Sequence, residues 1–229
     1  MRRNFISRIA VPILFVSVAT ILAIFTAKYA QQKHIPTPST ECAEEIIPPE
    51  QLISEFDDIF KEVGKQYEID WLLLAAIANT ESRFQADAKS PVGARGLMQV
   101  MPHVARNMGY TRKELYDART NVEVAAQLLI ENKTMLRLPD GFDEEEALKF
   151  ILACYNAGYS RIADARALAN YFEADTNTWS IVGLFLSWLS DTEFSDLEVV
   201  KAGPFHGSQE TLDYVERVTD TYREYKENR

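Results

Sequence analysis

Residues 70–102 read DWLLLAAIANTESRFQADAKSPVGARGLMQVMP, and this stretch decides the fold. Its first part is almost wholly apolar. It is preceded by Asp70, a residue type that caps helices by accepting a backbone hydrogen bond. The pattern therefore predicts a buried, central helix from Trp71 to about Ser82. Its second part is broken by Pro91 and two glycines, which predicts a loop.

Glu81 is the residue of the predicted helix with the most chemical interest. Counting from Leu74, Ile77 and Ala78 follow at the i+3 and i+4 positions, and Glu81 lies at i+7 on the same stripe. Burial disfavours the ionised carboxylate, as does the negative end of the helix dipole, so a raised pKa is expected. An acid that keeps its proton near neutral pH suits general acid catalysis. An ordinary solvated glutamate is the alternative, and periodicity alone favours it.

Helical patterns continue on both sides of this stretch. Five further helices are predicted: 50–66, a short one from Pro102, one from Thr120 or Asn121 to about 138, one from Asp143 to Gly158, and about 209–225. No run alternates apolar and polar residues for long enough to form a sheet. The sequence thus predicts an all-α domain over 48–229, with room for one core but not for two enzymatic domains.

The N-terminal region predicts export from the cytoplasm. A basic segment, 1–8, precedes 9–27, which contains no charged residue. At about 1.5 Å per helical residue, this run can cross a hydrocarbon core of about 30 Å. We expect a transmembrane helix in the inner membrane, a proline-broken linker over 28–47, and the folded domain in the periplasm. A cleaved signal peptide is the alternative for 9–27, and the bulk of the protein is exported in either case.

Composition excludes some partners. The formal net charge is −10, so the chain offers no basic face overall, and no nucleic-acid partner is expected. The two cysteines, Cys42 and Cys154, and the three histidines have no metal-ligand spacing. We therefore expect no metal and no other cofactor. Cys154 lies within an apolar helical pattern, which favours a buried free thiol.

Three sequence blocks resemble the family 1 lytic transglycosylases, the soluble lytic transglycosylase type with a goose-lysozyme-like fold. They are ESRF at 81–84 with AKSPVGARGLMQVMP at 88–102, CYNAG at 154–158, and the weaker YVERV at 214–218. The region 179–225 is most similar to the catalytic module of membrane-bound lytic murein transglycosylase F. Such enzymes usually carry a solute-binding-like domain ahead of the catalytic one. A linker is expected in that place here, so regulation through such a domain should be absent.

The resemblance implies an enzyme that cleaves peptidoglycan glycan strands with a single carboxyl group. Glu81 matches the family's catalytic acid, which protonates the leaving oxygen between N-acetylmuramic acid and N-acetylglucosamine. The resulting carboxylate then takes the proton of the muramyl C6 hydroxyl, which attacks the anomeric carbon and closes a 1,6-anhydro ring. A tethered hydroxyl outcompetes solvent if water is kept out.

The resemblance also assigns residues to a substrate-binding groove: Ser90, Gln99, Met101, Tyr155, Asn156 and Tyr214. Purely structural roles compete with most of these assignments, namely a turn at residue 90, core filling at residue 101, burial or packing at the two tyrosines, and a helix-end position for Asn156. The Tyr155 hydroxyl is expected to hydrogen-bond either the Glu81 carboxyl or a substrate N-acetyl group. Arg95 falls at a variable position of the family pattern.

Two other functions remain open from the sequence. A lysozyme-like muramidase on the same fold would add water instead of closing the ring, and it should use a second carboxylate that the sequence does not identify. A weakly active peptidoglycan-binding scaffold is the other alternative, because a fold alone does not establish a function. The presence of Glu81 argues against the scaffold.

Overall fold

The computed structural model describes residues 52–229, and the regular secondary structure in this range is helical. It contains a 3-10 helix at Glu114–Tyr116 and nine α-helices: α1 Asp57–Tyr67, α2 Trp71–Ser82, α3 Pro102–Asn107, α4 Ala118–Leu136, α5 Glu144–Ala157, α6 Tyr159–Tyr171, α7 Trp179–Trp188, α8 Thr192–Ser195 and α9 Ser208–Glu227. The all-α prediction is confirmed for these residues.

Helix α2 lies at the centre of the core. Its residues from Leu74 to Ala78 are fully buried, and the helix packs against both α1 and α9. Asp70 caps its first turn by accepting a hydrogen bond from the Leu72 N–H at 3.0 Å. At the other end, Arg83 adopts a left-handed conformation that stops the helix. Both predicted ends of this helix are therefore confirmed.

Helix α5 forms a second central element and also has the predicted bounds. The Asp143 carboxylate accepts a hydrogen bond from the Glu146 N–H at 2.9 Å, which caps the first turn. Gly158, with φ of +86°, ends the helix and lets α6 begin at the next residue. Helix α5 packs against α4, α6 and α9, while α7 packs against α6 and α9.

Helix α1 is shorter than predicted, because the chain before it bonds to a buried carboxylate. The sequence predicted a helix over 50–66, whereas α1 begins at Asp57. The Asp57 carboxylate accepts hydrogen bonds from the Ile53 N–H, the Ser54 N–H and the Ser54 hydroxyl at 2.9–3.0 Å. These bonds shape residues 53–56 into a turn. Leu52, which the apolar pattern placed on the buried face, is 67% exposed.

Helix α4 begins before the predicted cap. The capping residue is Asp117, whose carboxylate accepts from the Thr120 N–H at 2.9 Å and from the Thr120 hydroxyl at 2.8 Å. Asn121, the other predicted cap, lies inside the helix and is fully buried. The prediction was wrong because Thr120 does not accept the capping hydrogen bond. Its N–H and its hydroxyl both donate to the Asp117 carboxylate instead.

The segment 83–101 between α2 and α3 contains no strand, yet buried hydrogen bonds fix its shape. Arg95 and Val100 exchange both backbone hydrogen bonds at 3.0 Å. The Asn121 amide donates to the Arg95 carbonyl at 3.0 Å and to the Leu115 carbonyl at 2.9 Å, and its oxygen accepts from the Met98 N–H at 2.7 Å. One buried side chain of α4 therefore holds the loop against the core.

The segments predicted over 1–8, 9–27 and 28–47, together with Cys42, lie outside the described residues. Within 52–229, no helix combines the length and the apolar character needed to cross a membrane.

Candidate active site

Glu81 lies in the last turn of α2, at the edge of the core. Ile77 and Ala78, on the same stripe of the helix, are fully buried, whereas Glu81 keeps some exposed surface. The apolar stripe therefore ends in a carboxyl group that solvent or a ligand can reach.

Burial raises the pKa of the Glu81 carboxyl from 4.5 to about 7. Desolvation is the largest cause, because an apolar environment disfavours the charged form. The Tyr214 hydroxyl lowers this pKa, the charge of Glu210 raises it, and the charge of Arg217 lowers it. The predicted direction is confirmed, and Glu81 can hold or release its proton near neutral pH.

One face of α9 supplies the three groups that act on Glu81. Glu210, Tyr214 and Arg217 are separated by four and three residues, so they lie on one side of the helix. Helix α9 packs directly against α2. Tyr214 is 3% exposed, while Glu210 and Arg217 are exposed. A buried phenol and two charges of opposite sign therefore surround the carboxyl on this side.

The Tyr214 hydroxyl is buried without a hydrogen-bond partner of normal geometry among the described residues. It is nevertheless close enough to the Glu81 carboxyl to affect the pKa of that group. Burial and the nearby charge of Glu81 in turn raise the pKa of Tyr214 well above its usual value. A buried hydroxyl without a partner is costly, so this O–H is an available donor for the Glu81 carboxylate or for a ligand.

Tyr155, in the last turn of α5, also lies close enough to this carboxyl to be affected by its charge. Burial and the charge of Glu81 raise the pKa of Tyr155 well above its usual value. Its hydroxyl donates to the Met98 carbonyl at 2.7 Å. The Glu81 carboxyl, one of the two partners left open for this hydroxyl, is therefore not the group to which it donates. The hydroxyl instead ties α5 to the loop over 83–101.

Asn156 follows Tyr155 and connects α5 to α9. Its side-chain oxygen accepts a hydrogen bond from the hydroxyl of Thr211, a fully buried residue, at 2.8 Å. Its amide NH₂ group makes no hydrogen bond to any described residue and is left available.

Ser90, Gln99 and Met101 all lie on the loop over 83–101 or at its end, and each keeps some exposed surface. The Ser90 hydroxyl oxygen accepts from the Ala94 N–H at 2.9 Å, which forms the turn expected at this position. Gln99 has φ of +47°, a conformation that costs free energy for a residue other than glycine and that often marks a functional site. Its amide donates to the Gly96 carbonyl at 2.8 Å.

Sequence reasoning missed Glu210, Arg217 and Thr211. Helical spacing was the available signal, because Glu210 and Arg217 lie one turn on either side of Tyr214 on α9. Exposed charges are common on such helices, so the spacing alone did not distinguish these two. Arg95, which the resemblance places at a variable position of the family pattern, is 2% exposed and belongs to the core.

Cys154 is a buried free cysteine, as predicted, and burial raises the pKa of its thiol to about 12. In the part of the chain that the structure describes, no group of three or more His, Cys, Asp or Glu side chains is arranged to hold a metal ion.

An all-α domain that holds one glutamic acid with a pKa near 7 beside a buried and a half-buried tyrosine has the character of an acid–base catalyst. Residues 58–178 match the family model described as the transglycosylase SLT domain. The chain therefore belongs to the SLT-type transglycosylase family.

Curated relatives resemble part of this chain. Membrane-bound lytic murein transglycosylase F of Enterobacter sp. (strain 638) is 37% identical over 141 residues, which cover 62% of this chain and 26% of the relative. The protein of the same name from Klebsiella pneumoniae is 34% identical over 169 residues, which cover 74% of this chain and 31% of the relative. The matched part of this chain thus spans about a quarter to a third of these relatives.

Among solved structures, the 70 kDa soluble lytic transglycosylase from Escherichia coli is similar to this chain. The TM-score is 0.47 and the identity is 26%, and the match covers 75% of this chain and 24% of that one.

Proposed function

We propose that the protein is a peptidoglycan lytic transglycosylase. It cleaves the β-1,4 bond between N-acetylmuramic acid and N-acetylglucosamine and leaves 1,6-anhydromuramic ends. Family membership supports this class of reaction. The observation that carries the proposal is the Glu81 carboxyl, which burial holds at a pKa of about 7 at an accessible edge of the core.

Glu81 serves both halves of the proposed reaction. In the first half its proton goes to the glycosidic oxygen, the bond from that oxygen to the anomeric carbon breaks, and positive charge develops on the muramyl ring. In the second half the carboxylate takes the proton of the C6 hydroxyl, and the oxygen bonds to the anomeric carbon. A pKa near the working pH suits a group that must first donate and then accept. The free Tyr214 hydroxyl is placed to hydrogen-bond the carboxylate between these steps.

The proposed groove residues supply the remaining contacts with the glycan. The free amide of Asn156 and the Ser90 hydroxyl, which still has a proton to donate, suit the hydroxyl and N-acetyl oxygens of a sugar. Gln99 and Met101 line the same groove from the loop. Tyr155 acts through the loop, since its hydroxyl is bonded to the Met98 carbonyl. Tyr214 contacts both the carboxyl and the sugar.

A muramidase is the second candidate function, and one observation favours it. Hydrolysis requires a carboxylate that activates water, and the charge of Glu210 acts on Glu81. Glu210 is exposed, so it stands in open solvent. A tethered C6 hydroxyl has the advantage of proximity over such water.

A weakly active peptidoglycan-binding scaffold would need no raised pKa at Glu81.

We further propose the cell envelope as the location. The named relatives are membrane-bound, and 9–27 is apolar enough to form an anchor in the inner membrane. In this arrangement 1–8 is cytoplasmic, 28–47 is a linker, and 48–229 is a lysozyme-like catalytic domain in the periplasm.

Mass spectrometry of muropeptides released from purified sacculi tests the function. Anhydromuramic ends are the expected product, and reducing muramic ends would favour the muramidase. Glu81→Gln should lower turnover by at least about 100-fold, because general acid–base catalysis contributes about 10²–10⁴-fold. Glu131→Gln, an exposed glutamate on α4, is the matched control and should keep full activity. Activity of Glu81→Gln equal to that of the wild type would refute the assignment.

A further inference from the structure

A cavity of about 650 Å³ opens beside the loop that carries Ser90, Gln99 and Met101. Its walls are the loop around Gly93, helix α3 and the segment 109–112. Neither Glu81 nor Tyr214 lines it, so it is separate from the acid–base site. Four of its lining residues carry basic side chains: Arg95, His103, Arg106 and Arg112.

Arg95 is the distinctive group of this cavity. It is the largest fully buried side chain of the described residues, at 2% exposure. Its Nη1 donates to the Gly93 carbonyl at 2.7 Å and to the Ala94 carbonyl at 2.9 Å, whereas its buried Nε has no hydrogen-bond partner. A buried charge is normally paired, because its desolvation is costly. Arg95 nevertheless forms no salt bridge with any described residue.

The other cations of the cavity also lack an anionic partner. Among the residues that the structure describes, neither Arg106 nor Arg112 forms a salt bridge. The acid nearest in sequence is Glu114, and its carboxylate already accepts from the Thr111 N–H at 2.7 Å and from the Thr111 hydroxyl at 2.6 Å. In a chain with a net charge of −10, a concave site lined by three arginines and a histidine is a local exception.

We propose that this cavity binds a carboxylate of the peptides that the glycan strand carries, an inference that rests on the proposed function. A guanidinium group matches a carboxylate in shape and charge and binds it with charge-assisted hydrogen bonds. The position also fits. Met101, a proposed glycan contact, is followed by Pro102, which lines the cavity, and consecutive Cα atoms are about 3.8 Å apart. The wall of the cavity therefore begins one residue beyond a proposed glycan contact, a separation that a peptide branching from the strand can span.

A binding assay with the full-length Glu81→Gln protein tests the inference without cleavage of the ligand. The probes are glycan strands with their peptides intact and strands whose peptides an amidase has removed. Adding Arg106→Gln or Arg112→Gln should weaken binding of the peptide-bearing strands about fivefold to tenfold, as for a charge-assisted hydrogen bond partly screened by solvent. Binding of stripped strands should not change.

Lys113→Gln is the matched control, because it removes one exposed positive charge next to the cavity without altering its lining. It should leave both affinities unchanged. Equal losses for intact and stripped strands, or no loss for either, would overturn the inference. It would also be overturned if inorganic phosphate occupied the cavity at lower concentration than stem peptides released by the amidase.

The readout separates this inference from the proposed function. Product analysis with the wild-type protein reports on anhydromuramic ends and does not depend on the arginines. If no such ends form while the peptide-dependent difference in binding persists, the cavity assignment stands and the proposed reaction fails. If the ends form and the difference is absent, the reaction stands and the cavity assignment fails.

Discussion

Glu81→Gln should increase the free energy of unfolding at alkaline pH while it removes activity. The pKa of Glu81 is 4.5 without the surrounding protein and about 7 within it. Each pKa unit corresponds to about 1.4 kcal/mol, so ionising this buried carboxyl costs the folded protein about 3 kcal/mol. Glu81 keeps some exposed surface, and solvent screening there reduces the cost to about 1.5–3 kcal/mol. Glutamine fills the same space without a charge.

The pH dependence follows from the direction of the shift. The folded protein binds the Glu81 proton more tightly than the unfolded chain, so the cost is absent below pH 4.5, grows as the pH rises, and is complete above about pH 7. Urea denaturation at pH 5 and pH 8 measures it. Glu81→Gln should gain about 1.5–3 kcal/mol over the wild type at pH 8 and less than about 1 kcal/mol at pH 5. Glu131→Gln should show no such trend. A variant effect that is the same at both values would refute the desolvation argument.

Four further variants test the site and the loop. Tyr214→Phe should raise the pKa of Glu81 and move the alkaline fall of kcat/KM to higher pH, since the hydroxyl lowers that pKa. The same change should alter stability by less than about 1 kcal/mol, because the lost hydroxyl has no partner of normal geometry. Glu210→Gln and Arg217→Gln should shift the alkaline fall in opposite directions, down for the first and up for the second. A shift of both in one direction would contradict the electrostatic assignment. Gly96→Ala should lower the free energy of unfolding by about 2–5 kcal/mol, the sum of a disfavoured φ of +76° and a Cβ placed 2.3 Å from the Leu115 carbonyl oxygen. Thermal or urea denaturation measures that loss, and an unchanged midpoint would show that the loop can move away.

Where the sequence predicted a helix end correctly, the residue that determines that end lies within one turn of it. Asp70, Asp143 and Gly158 act within one turn of their own helix, so their roles could be predicted from position alone. The start of α1 could not, because Asp57 is buried and captures the chain before it. The helices α6 and α7 were not assigned. The mixed pattern of α6 has no clear apolar face, and α7 is apolar almost throughout, so neither shows the stripe that periodicity detects.

The residues of the candidate active site also differ in whether the local sequence predicts their properties. The position of Glu81 on an apolar stripe predicted its raised pKa, because a stripe that faces the core carries the carboxyl into the desolvated surroundings that cause the shift. Glu210 and Arg217 were not predicted, since their effect depends on how α9 packs against α2 more than a hundred residues away. The burial of Arg95 was likewise not predicted. Its burial is created by the fold of the loop, and no local pattern reports it.

The proposed site depends on attachments that lie away from the carboxyl itself. Glu81 comes from α2 and Tyr214 from α9, while Ser90, Gln99 and Met101 lie on a loop that belongs to neither helix. Two hydrogen-bonding side chains set the position of that loop: the buried Asn121 of α4 bonds to the Arg95 carbonyl and the Met98 N–H, and the half-buried Tyr155 of α5 bonds to the Met98 carbonyl. The acid and the groove are therefore positioned by different helices. Changes at Asn121 should misplace the substrate contacts, whereas changes on α9 should alter the proton affinity of Glu81.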